Sequence, residues 1–366
     1  MISVFVPSHI TGFFSIFDNE NPLLKGSLGA GVLLDKGVIT EIENGDGNDG
    51  LSVLINGKKD HYNEVIILKT IEIMKKDLNK VDVDFNLDNI LISQTIQVPI
   101  GCGFGSSAAS AIGTAVCINE YFDLGLSMEE CGKYAHLAEV SLGTGLGDVI
   151  AELSKGIVLR TKVGAPGYGK TKSIVPHEKT GFGVFESLQS DFYVITKTLG
   201  EISTASIIQD PKHKKVITEF GLEIQEEFKK KDDGIVIGSK FKNKFNVAVD
   251  SEFNEEETIK KFMNSSLSFA KKTHLINDEL LKIIHQLHGK VLGTSMAMLG
   301  NTIFAIANED QKLKLEAEYY NEFDFYKMDT EGIRILKRDW LLFFKLWNFF
   351  KKSHDSSLIY NLFKNN

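Results

Sequence analysis

Three glycines at alternate positions followed by two hydroxyls, in Pro99-Ile-Gly101-Cys-Gly103-Phe104-Gly105-Ser106-Ser107-Ala108, are the residues of this chain best suited to hold phosphate. Glycine permits positive φ and lets backbone N–H groups approach an anion, and the helix that opens beyond them favours negative charge at its N-terminus. The dinucleotide fingerprint G-x-G-x-x-G is not met, because Ser106 stands where the third Gly would fall. A plain tight turn into a helix is the alternative, but a turn alone does not need three glycines and two hydroxyls.

A second stretch, Gly164-Ala-Pro-Gly-Tyr-Gly169-Lys170-Thr171, satisfies G-x-x-x-x-G-K-[ST] letter for letter. That pattern works only if Lys170 and Thr171 start a helix, and the continuation Lys-Ser-Ile-Val-Pro176 is β-branched and then proline. It reads as a Gly/Pro turn that borders a site. Two carboxylates complete the chemistry-bearing set. Glu139 lies at the edge of an apolar helical stripe, where a charge is costly unless paired or bound to a metal. Asp148 ends the Gly-rich turn Leu142-Gly-Thr-Gly-Leu-Gly147. Taken singly they are a helix-edge salt bridge and a helix N-cap. Beside a phosphate cradle and a hydroxyl they are parts of a phosphoryl-transfer site, which needs a metal-binding carboxylate and a base at the acceptor hydroxyl.

These residues must be positioned by an α+β scaffold. The apolar runs 28–34 and 38–43, joined by Asp35-Lys36-Gly37, read as a hairpin, and alternation marks strands over 81–87 and 90–98. Helical spacing falls at 63–78, at 106–124 with Gly125 as its C-cap, and at 128–142 behind the capping box Ser127–Glu130. Polar text and Pro176 mark a boundary, so residues 1–175 form one domain and 176–332 a second. The second opens on strand 191–197 and carries helices at 256–272, entered by Asn254-Glu-Glu-Glu, and 277–288, ended by Gly289. Residues 333–366 form an aromatic-rich extension. Its segment 340–352, with both tryptophans, is a helix packed on its own chain or on a symmetry mate, or else lying on a membrane surface.

Composition narrows the function classes. The chain has 366 residues, 41 Lys+Arg against 49 Asp+Glu (net −8) and 43% apolar residues, an ordinary globular balance with no general pull toward nucleic acid. Cys102, Cys117 and Cys131 are an odd set without C-x-x-C pairing, which points to reduced thiols and a cytoplasmic setting. No basic segment with an apolar core opens the chain, and no apolar run is long enough to span a membrane, so neither a signal peptide nor a membrane span is expected.

The loop from Pro99 to Ala109, the pair Glu139/Asp148 and the late stretch Gly293-Thr-Ser-Met-Ala-Met-Leu-Gly300 resemble the three motif regions of the GHMP kinases, the galactokinase, homoserine kinase and mevalonate kinase superfamily. Pro7-Ser-His-Ile-Thr-Gly12, Gly26-Ser-Leu-Gly29-Ala-Gly31, Gly143-Thr-Gly-Leu-Gly-Asp148 and Gly164-Ala-Pro-Gly are similar to the archaeal pantoate kinases within it. The resemblance implies an N-terminal domain like the second domain of ribosomal protein S5, a ferredoxin-like C-terminal domain, and ATP-dependent phosphorylation of pantoate for coenzyme A synthesis. By motif position the Pro99–Ala108 loop would hold ATP, and Ser107 and Glu139 would bind Mg²⁺. Asp148 would orient or deprotonate the acceptor hydroxyl. Phosphorylation of another small alcohol (mevalonate, shikimate or homoserine) and a non-catalytic binding module are the rival readings.

The acceptor site is expected among His9, Thr11, Gly29, Ala30, Gly145, Thr204 and Ser295, with a homodimer as the assembly. His9 could equally be hydrogen-bonded within a turn, and Thr204 could cap the helix before Pro211. Leu28 stands where many pantoate kinases carry Arg, so a cation for an acidic substrate must come from elsewhere, with His9, Arg160 and Lys170 as candidates.

Overall fold

Residues 2–17 are apolar or small at nearly every position, too continuous for a strand with one wet face. They form a single 16-residue strand, β1 (Ile2–Phe17), buried on both sides. The computed structural model describes residues 1–45, 47, 50–175, 191–201, 210–235 and 254–338, with the backbone only for 227–235. β2 (Gly26–Asn44) runs antiparallel along the whole of β1. Two expectations are corrected here. The stretch from Pro7 to Gly12 is the middle of a strand, not a turn, and Asp35-Lys36-Gly37 is not a hairpin. Pairing passes from Ser8 opposite Leu34 to Pro7 opposite Gly37, so Asp35 and Lys36 are absorbed as a bulge. Gly37 serves close strand approach, since a Cβ there would lie 2.0 Å from the carbonyl oxygen of Val6.

β2 is the hub of the first sheet. β4 (Ile90–Ile96) and β5 (Ile157–Lys162) pair with its two ends, β3 (Leu51–Ile55) runs parallel to β4, and β6 (Lys170–Val175) folds back on β5. β11 (Arg334–Arg338) pairs with β1, so the first residues of the expected extension belong to this sheet. The strand expected over 81–87 is absent. Residues 79–81 form a single 3-10 turn, and Asp82 at φ 58° breaks the extended course, leaving Phe85 and Leu87 to bury themselves from a loop.

Four helices cover the sheet: α1 (Glu64–Leu78), α2 (Ser106–Phe122), α3 (Met128–Leu142) and the single turn α4 (Asp148–Glu152). α2 lies deepest, because Ala108, Ala109, Ala111 and Ala115 let neighbours approach closely. It ends on Asp123 at φ 51°, two residues before the expected Gly125. α3 begins at the expected Ser127–Glu130 capping box.

The second sheet has the order β10 (Asp324–Lys327), β7 (Phe192–Gly200), β9 (Asn301–Asn308), β8 (Gly293–Met296), all antiparallel. With it go α5 (Pro211–Ile235), α6 (Glu255–Lys272), α7 (Asp278–Leu287) and α8 (Glu309–Glu318). Asn254 caps α6 through Glu257 N–H, whereas α7 stops on His288 rather than Gly289. Phe13 and Phe14 of β1 pack at a tilt against Phe262 and Phe269 of α6, with centroids 6.4 and 5.7 Å apart, so one apolar cluster runs from the first sheet into the second. The architecture is α+β. The boundary at Pro176 and the aromatic segment 340–352 lie outside the described residues. Among the described residues no helix is long and apolar enough to cross a membrane, and the three cysteines are buried free thiols.

Candidate active site

The glycine loop leaves β4 and enters α2. Gly101, Gly103 and Gly105 all take left-handed backbone, with φ of 72°, 86° and 66°, the conformation that glycine adopts at little cost. The loop is pinned on two sides. His9 N–H donates to Phe104 O (3.1 Å) from β1, and Thr302 Oγ1 donates to Cys102 O (3.0 Å) from β9. A Cβ on Gly103 would lie 3.1 Å from both Ala297 Cβ and Met298 O, so the turn between β8 and β9 fits against the loop only without a side chain. Gly105 is the N-cap of α2 and offers no side-chain acceptor, so the first amides of the helix face the cleft beside Ser106 and Ser107. Pro99 brings the chain into the loop from outside the cleft lining, and Ala108 is buried in the first turn of α2.

A cleft of about 700 Å³ runs beside this loop. Asp148, the first residue of α4 rather than its N-cap, opens into it. Its Oδ1 accepts a hydrogen bond from His9 Nδ1 at 2.8 Å and lies 3.4 Å from Thr11 Oγ1, which is also 3.4 Å from Arg160 Nη1. Burial pushes the Asp148 carboxyl up, but the hydrogen bond and charge of His9, the Arg160 guanidinium and Thr11 together outweigh it and hold Asp148 below the usual carboxylate range. Arg160, on β5, is 1% exposed yet reaches the cleft. Burial lowers its pKa to about 10, against the charge of Asp148, and it stays a cation at neutral pH. Glycines make this packing possible. A Cβ on Gly29 would lie 2.9 Å from Arg160 Nη2, and one on Gly147 would meet Arg160 Nε at the same distance.

Glu139, on α3, is 2% exposed and accepts from Thr144 Oγ1 at 2.6 Å. Gly145 lines the cleft, and a Cβ there would fall 2.0 Å from Glu139 Oε2, so the carboxylate sits against it only because it is glycine. Burial raises the Glu139 carboxyl to about 7; the Thr144 hydrogen bond opposes this, the charge of Asp148 adds to it, and Ser107 opposes it again. A carboxyl so poised lacks a cation, and with the Ser107 hydroxyl it is the hard-oxygen pair that suits Mg²⁺. Among the described residues no group of three or more His, Cys, Asp or Glu could hold a metal ion, so an ion here would take its remaining ligands from phosphate and water. The raised carboxyl predicts a pH signature. In the metal-free protein the folded state binds the extra proton between about pH 4.5 and 7, so stability falls as pH rises through that window, by roughly 3 kcal/mol. Denaturant titrations across pH should show a shallower slope in Glu139→Gln than in the wild type, the remainder coming from the buried Glu152 carboxyl.

The sequence reading passed over Glu152. One turn beyond Asp148 on α4, it is fully buried with neither carboxylate oxygen hydrogen-bonded, and Oε1 lies 2.4 Å from where a Gly105 Cβ would stand. Burial, then the charges of Asp148 and Glu139, raise its carboxyl well above the usual range, which keeps a third negative charge away from the cradle. Its spacing from Asp148 was the available signal.

A second cleft continues past Gly101, Ser106 and Ser107 to Tyr62, Asn63, Ile66, Ile96 and Ile100, an apolar slot with a polar mouth. Met298 and Leu299 close the first cleft from the β8–β9 turn, while Gly300 is the residue packed on Cys102 O. Of the other expected residues, Thr11 and Gly145 line the cleft. Gly29 lies beneath Arg160, and Ala30 and Ser295 are fully buried in β2 and β8, away from the lining. His9 is fully buried behind Asp148 because its strand is interior. Thr204 lies outside the described residues. Lys170 opens β6 and is exposed, so the helix its motif needs is replaced by a strand. Leu28 is half-buried and does not line the cleft, whereas Arg160 supplies the cation there.

Comparison with known proteins places the chain in a family. Residues 66–156 match the GHMP kinases N terminal domain model. Pantoate kinase of Methanocaldococcus jannaschii is 34% identical over 307 residues, covering 84% of this chain and 93% of that protein. Pantoate kinase of Thermococcus kodakarensis is 34% identical over 342 residues, covering 92% and 98%. A solved phosphotransferase related to the CoA biosynthesis pathway superimposes with a TM-score of 0.69 at 30% identity, over 91% of this chain and 98% of that one.

Proposed function

The chain belongs to the GHMP kinases and, within them, to the pantoate kinases, and from that premise we propose how its cleft transfers the γ-phosphoryl group of ATP to the primary hydroxyl of pantoate, the product being 4-phosphopantoate. The observation that carries this reading is the meeting, in one cleft, of a helix-terminal glycine cradle, an ionised Asp148 and a buried guanidinium. The apolar slot at Tyr62, Ile66, Ile96 and Ile100 takes the adenine base, and the backbone from Gly101 to Ser106 takes the phosphates. Ser107 and Glu139 would hold Mg²⁺, which neutralises charge on the nucleotide phosphates.

At the other end of the cleft Arg160 binds the pantoate carboxylate, with Thr11 and Ser27 as hydroxyl partners. The primary hydroxyl is thereby brought to Asp148. Asp148 accepts its proton as the hydroxyl oxygen bonds to the γ-phosphorus; the bond from that phosphorus to the β–γ bridging oxygen breaks, and that oxygen leaves with the electron pair as part of ADP. Such a reaction is mostly positioning and charge, which is what the rigid loop and buried cation supply. Mevalonate and shikimate also carry a carboxylate for Arg160, so the choice of pantoate is supported by the near full-length similarity rather than by that residue. ADP release should therefore be measured with pantoate, pantothenate, mevalonate, shikimate, homoserine and no acceptor. Pantoate is expected to give at least tenfold the rate of any other, and equal or greater turnover on another acid would overturn the substrate assignment.

A further inference from the structure

His9 does not reach the cleft, yet it touches the residue at its centre. The imidazole is fully buried, Nδ1 lies 2.8 Å from Asp148 Oδ1, and Nε2 has no hydrogen-bond partner. An ionised carboxylate can only accept, so the proton of a neutral ring sits on Nδ1 and Nε2 carries an unused lone pair. A buried unsatisfied polar atom costs about 1–3 kcal/mol, which a phenylalanine or leucine at the same place would avoid. Packing alone therefore does not account for a histidine. The ring also has a prepared seat: a Cβ on Gly31, which pairs with Thr11 on β2, would fall 2.1 Å from Nε2 and 2.6 Å from Cε1.

We propose that His9 is a positioning residue that fixes the Asp148 carboxylate through an Nδ1–H···Oδ1 hydrogen bond, with Gly31 as the socket that seats its ring. The proposal rests on the assignment of Asp148 as the base and adds to it the means by which one carboxylate oxygen is held while the other, Oδ2, is left for the substrate hydroxyl. Oδ2 is the oxygen turned toward Gly145 and the cradle, 3.4 Å from where a Gly145 Cβ would stand. Thr11, 3.4 Å from both Nδ1 and Oδ1, lies beside the hydrogen bond and does not replace it. Protonation of the ring would create a buried N–H at Nε2 without an acceptor, and burial accordingly keeps the ring pKa down. His9 therefore orients Asp148 and does not itself carry the proton away.

The test compares His9→Phe, which fills the space without a donor, with His9→Asn, whose amide nitrogen can stand near Nδ1. His9→Phe is expected to lower kcat about 100-fold, as a small misplacement of a reacting group does. KM for ATP should stay within about threefold and the Tm should be equal or higher, because the orphaned nitrogen is gone. His9→Asn should recover at least tenfold of the lost kcat. A purely structural histidine would instead show a lowered Tm with kcat kept, and kcat within threefold of wild type in a folded His9→Phe would end the proposal. A readout independent of turnover is the imidazole nitrogen spectrum of the ¹⁵N-labelled protein, which should show His9 protonated at Nδ1 alone and shift in Asp148→Asn. An Nε2–H ring, or a signal blind to that substitution, would also overturn it. Failure of the wild type to phosphorylate pantoate would count against the function and leave this spectrum to decide on His9.

Discussion

Asp148→Asn is expected to lower kcat by about 10³-fold, with the affinity for ATP changed by no more than about threefold. Asparagine keeps the shape of the side chain and an oxygen that can still accept from His9 Nδ1, so the hydrogen bond at 2.8 Å and the entry into α4 survive. What is lost is a carboxylate held ionised beside Arg160, the group able to take a proton from the acceptor hydroxyl. In the proposed mechanism the Gly101–Ser107 loop, and not Asp148, binds the nucleotide, so the loss should fall on kcat. Fluorescence or calorimetric titration with ADP, beside steady-state rates, separates the two. Turnover within tenfold of wild type would remove Asp148 from the role of base.

The second large effect is expected at Arg160. Removing one partner of a buried charge pair costs about 2–4 kcal/mol, which is roughly 30- to 900-fold in kcat/KM. Arg160→Met keeps most of the apolar stem and deletes the guanidinium that meets Thr11 and faces Asp148. The backbone carbonyl of residue 160, which accepts from Gln225 Nε2 at 2.9 Å, is untouched, so β5 should hold its place. The informative comparison is between pantoate and pantothenol, a neutral amide with the same dimethyl alcohol end. Wild-type protein should prefer the acid, and Arg160→Met should lose most of that preference while retaining turnover of the neutral compound. Equal loss on both acceptors would assign Arg160 to holding Asp148 instead of binding the carboxylate.

The parts of this site that were legible in the sequence are those whose chemistry is local. Alternate glycines ahead of two serines can be read without knowing the fold, since the three left-handed φ values are a property of that loop. Glu139 and Asp148 were legible because charge beside an apolar stripe or after a glycine-rich turn is costly without a partner. What the sequence hid depends on partners distant in the chain. Asp35-Lys36-Gly37 has turn chemistry, yet β1 continues past it on one side and the residues become a bulge. His9 looked like a turn residue because Pro7 and Gly12 flank it, and only the pairing of β1 with β2 places it behind Asp148. Arg160 was one cation among several until β5 was seen to pair with β2 at Gly29, directly across from it. Leu299 adopts φ 65° at the edge of the cleft, a conformation no residue type there announces.

The most direct test of the account is phosphorus and proton NMR of the products formed by the purified protein from ATP, Mg²⁺ and pantoate. The account predicts one new phosphomonoester resonance for each ADP formed, coupled to the methylene protons of the primary alcohol carbon and absent with Asp148→Asn. Inorganic phosphate in place of the ester, phosphate on the secondary hydroxyl, or no pantoate-dependent ADP would contradict it.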